Sequence, residues 1–164
     1  MKKLVMVLMV LVVSICVQAQ EFKVGDSIPK FELNSSVYGN VKSIDLKDKV
    51  VLINLFATWC GPCQQELADV QNILWPKFKD NKDFVMLVVG REHTDEQLQK
   101  YNERKKFTFP LYPDPKREVY SLFAEKTIPR TYLFGKDGKL ISSSIGYSEE
   151  RFQLLMKSLE KALK

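Results

Sequence analysis

Histidine is nearly missing from this chain: His93 stands alone among 164 residues. Cysteine is scarce, with only Cys16, Cys60 and Cys63. These shortages exclude several chemistries. A structural zinc site wants four protein ligands, and no second cysteine pair exists to complete one around Cys60 and Cys63. His93, beside Glu92 and just before Thr94, reads as a loop or cap-adjacent residue rather than a metal ligand. No cofactor is implied beyond the cysteine pair itself. Two cysteines this close do little to restrain the unfolded chain, because the loop they close is tiny. The pair is therefore read as functional rather than as a staple. Internal repeats, linkers and low-complexity stretches are also missing, and the length fits a single domain, placed at 20–164.

Strong charge of one sign is lacking as well. The net charge is +5. Without Lys2 and Lys3, which fall in an N-terminal leader, it drops by two, to +3. Lys100, Arg104, Lys105 and Lys106 interleave with acids. That pattern is a solvated helix face, and no nucleic-acid partner is expected.

A long hydrophobic run is absent too. The apolar stretch Leu4 to Val17 covers 14 residues, short of the roughly 20 that span a bilayer. It follows a basic start, Met1-Lys2-Lys3, and precedes small-residue positions at Val17 and Ala19. Residues 1–19 thus read as a cleaved secretory signal peptide. Two other readings stand beside it: an uncleaved anchor, and lipidation at Cys16, where Ile15 is bulky for such a site. The expected location is the periplasm or another extracytoplasmic space. Cleavage after Ala19 removes Cys16 and leaves Cys60 and Cys63 as the only thiols.

What is present is an alternation of strand and helix signals. Phe31 and Leu33 alternate with polar residues, and Val41 to Leu46 can pair with them. Val50 to Phe56 is almost wholly apolar and reads as a central strand covered on both faces. Leu67, Val70, Ile73 and Leu74 recur at helical spacing, in a helix running from Pro62 to about Phe78. Phe84 to Val89 is a second buried strand. Thr94 and Gln97 form a capping-box pattern for a helix that carries Leu98 and Tyr101. Phe107 to Leu111 reads as a short extended piece, and Glu118 to Ala124 as a short helix. Thr131 to Phe134 and Leu140 to Ile145 flank the turn Gly135-Lys136-Asp137-Gly138. Phe152, Leu155, Met156, Leu159 and Ala162 stripe a final helix. The order predicts an α/β fold with an N-terminal β extension, parallel strands first and an antiparallel hairpin at the end. Trp75, Phe78 and Phe84 read as core, while Tyr38, Tyr112 and Tyr147 carry no assigned role.

The chemistry sits in Trp59-Cys60-Gly61-Pro62-Cys63, directly after the apolar strand. A strand ending in a cysteine pair that opens a helix suits dithiol–disulfide exchange. Gly61 and Pro62 form the turn, and Pro62 occupies a first-turn position that tolerates proline. The reactive species is the thiolate, which a helix N-terminus favours. Cys60 precedes the helix and is expected to be the nucleophile. Cys63 then resolves the mixed disulfide. Trp59 is expected to shield the pair rather than pack in the core.

The run Ala57-Thr58-Trp59-Cys60-Gly61-Pro62-Cys63 resembles the thioredoxin superfamily. The extension, the leader and Glu66 narrow the likeness to exported TlpA/ResA-like thiol-disulfide oxidoreductases. The resemblance covers roughly Val24 to Lys164. It implies a thioredoxin-like fold whose Thr94–Leu111 region is a central helix-strand insertion. It implies that Pro129 is a cis-proline facing the cysteines, with the Ile128 backbone pairing with a client chain. The clients would be proteins bearing cysteines or disulfides. The Gly-Pro dipeptide resembles that of reducing members, which implies a reductant, with a cytochrome-maturation-like role and a membrane electron donor. Asn54 falls where thioredoxin carries a buried acid, and an amide is no general base. Glu66 then admits two readings: a replacement acid for proton transfer, or a solvated charge at the positive end of the helix. Two other functions remain open. A thiol peroxidase would place a threonine three residues before the cysteine, whereas Thr58 stands two before Cys60. A redox-regulated binding or copper-delivery module would use the pair as ligands.

Overall fold

The computed structural model describes residues 22–164. The leader and Cys16 lie outside the described residues. A two-stranded antiparallel unit comes first, β1 (Glu32–Ser35) with β2 (Gly39–Lys42). Five further strands form the main sheet. They are β3 (Val50–Phe56), β4 (Phe84–Arg91), β5 (Leu111–Asp114), β6 (Arg130–Phe134) and β7 (Leu140–Ile145), in the spatial order β5-β4-β3-β6-β7. The first three run parallel, while β6 and β7 are antiparallel additions. All seven residues of β3 are buried, as its unbroken apolar run requires of a central strand with both faces covered.

The helices are α1 (Gly61–Asp69), α2 (Trp75–Phe78), α3 (Asp95–Lys105), α4 (Tyr120–Phe123) and α5 (Glu149–Ala162). The single helix expected up to Phe78 is divided. Val70–Leu74 is a π turn in which the Trp75 N–H reaches back to the Val70 carbonyl. Pro76, with no N–H and a ring that crowds the preceding turn, sits just beyond it. The extra residue shifts the buried stripe. Leu67, Val70, Leu74 and Phe78 are buried, but Ile73 is exposed and does not belong to the core.

Three other boundaries differ from the sequence expectation. Ser43–Leu46 is a short 3-10 turn rather than strand. Phe107 to Pro110 is a loop, and strand pairing begins only at Leu111. The Asn102 side chain binds both the N–H and the carbonyl of Phe107 and holds the chain away from β4. Phe107 and Phe109 stack on each other at 4.8 Å instead. The short helix starts at Tyr120, because the Asp114 carboxylate accepts the N–H groups of Val119 and Tyr120. Pro113 is tolerated in β5 because β5 is an edge strand. The capping box of α3 is complete: Thr94 and Gln97 each accept the other's backbone N–H.

Two cores lie on the two faces of the sheet. One gathers Cys60, Cys63, Leu67, Leu74, Val88, Phe109, Leu133, Phe152 and Leu159 beneath α1, α3 and α5. The other gathers Leu33, Ile53, Leu87, Tyr120, Phe123, Phe134 and Leu140 beneath the N-terminal extension and α4.

Candidate active site

The chain leaves the buried end of β3, turns through Ala57, Thr58 and Trp59, and enters α1. Cys60 is the N-cap of α1. The two cysteines form a disulfide, with Cα atoms 5.2 Å apart. The Cys63 N–H donates to the Cys60 sulfur at 3.2 Å. That sulfur therefore occupies the cap position where a helix terminus stabilises negative charge. Cys60 retains 6 % exposure and Cys63 none, so of the two only the first residue reaches the surface. Pro62 lies in the first turn of α1, where no intrahelical N–H bond is lost.

Trp59 is 65 % exposed and is not a core residue. The Arg91 guanidinium lies 5.8 Å from its ring and 4.9 Å from the ring of Tyr120. Arg117 covers Tyr120 as well, at 5.0 Å, and Glu92 pairs with both arginines. A stack of alternating aromatic and cationic groups thus rises beside the cysteine pair.

Glu66 is buried at 4 % exposure, and the reading of it as a solvated helix-end charge falls. The Asn54 amide donates to one carboxyl oxygen at 2.8 Å, and the Thr131 hydroxyl donates to the other at 2.8 Å. Burial pushes the Glu66 carboxyl above the ordinary range, and the two hydrogen bonds only partly offset it. Asn54, Thr131 and Ser144 occupy one register row across β3, β6 and β7. This row gives the buried acid polar neighbours in an otherwise apolar layer. Among the described residues the Asn54 Oδ1 atom has no hydrogen-bond partner.

The Ile128–Pro129 peptide is cis. It immediately precedes Arg130, which pairs with Leu55 near the end of β3. Ile128 packs against both cores, including the one that holds Cys60 and Cys63. Among the described residues, no hydrogen bond within the chain uses the backbone groups of Ile128. Thr127 has φ of 66°, an uncommon conformation for a β-branched residue. Its carbonyl accepts the Tyr120 hydroxyl.

Sequence reasoning missed the groups that hold the loop before Cys60. His93 lies in the loop just before the Thr94 cap, as expected, but it is buried and its ring bonds to Thr58. Gln64 donates to the carbonyls of Ala57 and Thr58 and accepts the Tyr101 hydroxyl. Burial pushes the Tyr101 phenol up to about 12. Thr131 was visible only as a strand residue. A hydroxyl in an apolar strand, two residues after the proline, was the one signal that could have marked it.

The pattern of the AhpC/TSA family matches residues 24–143. The chain belongs to the AhpC/TSA family. A relative in Bacillus thuringiensis (strain Al Hakam), named thiol-disulfide oxidoreductase ResA, is 27 % identical over 127 residues, covering 77 % of this chain and 72 % of the relative. Another ResA, from Geobacillus thermodenitrificans, is 30 % identical over 118 residues, covering 71 % of this chain and 66 % of that one. Among solved structures, a candidate thiol:disulfide interchange protein DsbE from Chlorobium tepidum superposes with a TM-score of 0.78 at 27 % identity. It spans 88 % of this chain and 100 % of that one. The chain carries a thioredoxin-like fold and a closely spaced cysteine pair. This AhpC/TSA member is a thiol-disulfide oxidoreductase of the ResA/DsbE type.

Proposed function

We propose that the protein works outside the cytoplasm as a reductant of disulfides in client proteins. The observation that carries the exchange chemistry is the Cys60–Cys63 disulfide at the start of α1, with a backbone N–H aimed at the Cys60 sulfur. In the reduced protein the Cys60 thiolate attacks a client disulfide. A mixed disulfide forms and one client thiolate leaves. Cys63 loses its proton and attacks the Cys60 sulfur. The second client thiolate leaves, and the Cys60–Cys63 disulfide closes. Two electrons pass to the client, and its thiolates take up protons. Glu66, in the turn after Cys63, is the candidate acceptor for the Cys63 proton. The Ile128 backbone, next to the cis Pro129, is the candidate edge for the client chain, and the exposed Trp59 is a second candidate contact.

The leader-like start at Met1-Lys2-Lys3 and the apolar run to Val17 support export. Among the described residues no helix is long and apolar enough to cross a membrane. A membrane electron donor would return the disulfide to the dithiol, and clients of the cytochrome-maturation kind would present disulfides between haem-site cysteines for reduction to thiols.

Equilibration with glutathione tests the direction. Reducing and oxidising extremes lie near −270 and −120 mV, or about 7 kcal/mol apart for two electrons. A value near the first is expected, and a value near the second overturns the reductant reading. Cys63→Ser should trap clients through Cys60, and adducts through another residue would reverse the assignment.

A further inference from the structure

We propose that His93 is a positioning residue for Cys60, acting through Thr58. The inference rests on Cys60 being the attacking sulfur, and it adds a second layer of residues behind it.

The ring is fixed at both nitrogens. Nδ1 lies 2.6 Å from the Arg91 carbonyl oxygen. A carbonyl only accepts, so Nδ1 carries the proton in this contact. Nε2 lies 3.3 Å from the Thr58 N and 2.7 Å from the Thr58 Oγ1. A backbone N–H only donates, so Nε2 is the acceptor. One tautomer satisfies the set, and in it both the N–H and the hydroxyl of Thr58 donate to a single ring nitrogen.

The surroundings are built for this contact. Gly90 pairs with Phe56, the last residue of β3. A Cβ at Gly90 would meet Leu98 at 2.8 Å and the His93 Cβ at 3.4 Å. The glycine therefore lets α3 and the histidine close down on the strand end. Glu92 turns through φ of 62°, between Arg91, whose side chain lies near Trp59, and His93, which holds Thr58. From the other direction Gln64 binds the Thr58 carbonyl, and Tyr101 of α3 binds Gln64. All three polar groups of Thr58 are thus tied to side chains that lie outside the loop. A buried histidine that merely satisfied itself could bond anywhere in the core. This one holds the residue two positions before Cys60, whose own N–H bonds to Ala57 within the same turn. The β4–α3 connection therefore sets where the Cys60 sulfur sits relative to the N–H groups of α1.

Iodoacetamide alkylation of the reduced protein across pH reads this directly. In wild type the fast site is expected to be Cys60. His93→Phe keeps a ring but removes both acceptor contacts. It should slow Cys60 alkylation at neutral pH about tenfold, the scale of one or two hydrogen bonds, and move the midpoint of the profile upward. His93→Gln restores an acceptor at the Nε2 position and should recover most of the rate. Thr58→Val should act in the same direction, and the double variant with His93→Phe should cost less than the two effects combined. Thermal melts confirm that each variant is folded. A His93→Phe protein that folds and keeps the wild-type profile overturns the proposal. So does a His93→Gln protein that behaves like His93→Phe. If His93→Phe does not fold, Thr58→Val against wild type decides by the same profile. Fast alkylation at Cys63 instead would overturn the assignment of the nucleophile, an outcome distinct from an unmoved Cys60 profile.

Discussion

Glu66 shows how much a single side chain can depend on partners far along the chain. Its carboxyl is held above the ordinary range by burial, so the fold favours the protonated form. That contribution is complete below the unfolded value of about 4.5 and is lost as pH rises through the raised folded value. At neutral pH an ionised Glu66 is therefore a cost. Glu66→Gln should be more stable than wild type at neutral pH, and the advantage should vanish in acid; urea midpoints across pH measure both. If Glu66 takes the Cys63 proton, the same variant should also slow closure of the mixed disulfide. The place of Glu66 in the sequence was legible, three residues after Cys63. Its environment was not, because Asn54 and Thr131 lie 12 and 65 residues away. The cysteine pair was legible because everything that defines it is local. The place of His93 just before the α3 cap was legible for the same local reason, but its bond was not, because its partner Thr58 lies 35 residues back.

Whole elements followed the same division. The strand β3 and the capping box of α3 were readable, since apolar runs and S/T-x-x-Q-type spacing act over a few residues. Thr94→Ala removes the side-chain acceptor for the Gln97 N–H and should cost about 1 kcal/mol in a denaturant titration. The π turn after α1 was not readable, although Pro76 was in plain view, because a proline alone does not say how the preceding turn will adjust. The start of β5 was displaced for a tertiary reason. Asn102 ties down Phe107, and two phenylalanines stack where pairing was expected.

Across the whole molecule the sheet separates two cores, and the cysteine pair belongs to only one. Damage to the other core should therefore lower stability while sparing the chemistry. Leu140→Ala, on that far face at 2 % exposure, should cost about 2–5 kcal/mol and leave the alkylation profile of Cys60 in the folded protein unchanged. The chain has two tryptophans, and their settings differ. Trp75 is half-buried against Phe109. Trp59 stands in the open and is the chain neighbour of Cys60, whose sulfur changes its bonding with every turnover. Disulfides quench neighbouring indoles, so opening the Cys60–Cys63 bond should brighten the emission of Trp59. Trp59→Phe should abolish that change, and Trp75→Phe should preserve it. The exposed ring makes the protein its own indicator, and each electron pair it accepts or gives away can be followed by eye in a fluorimeter.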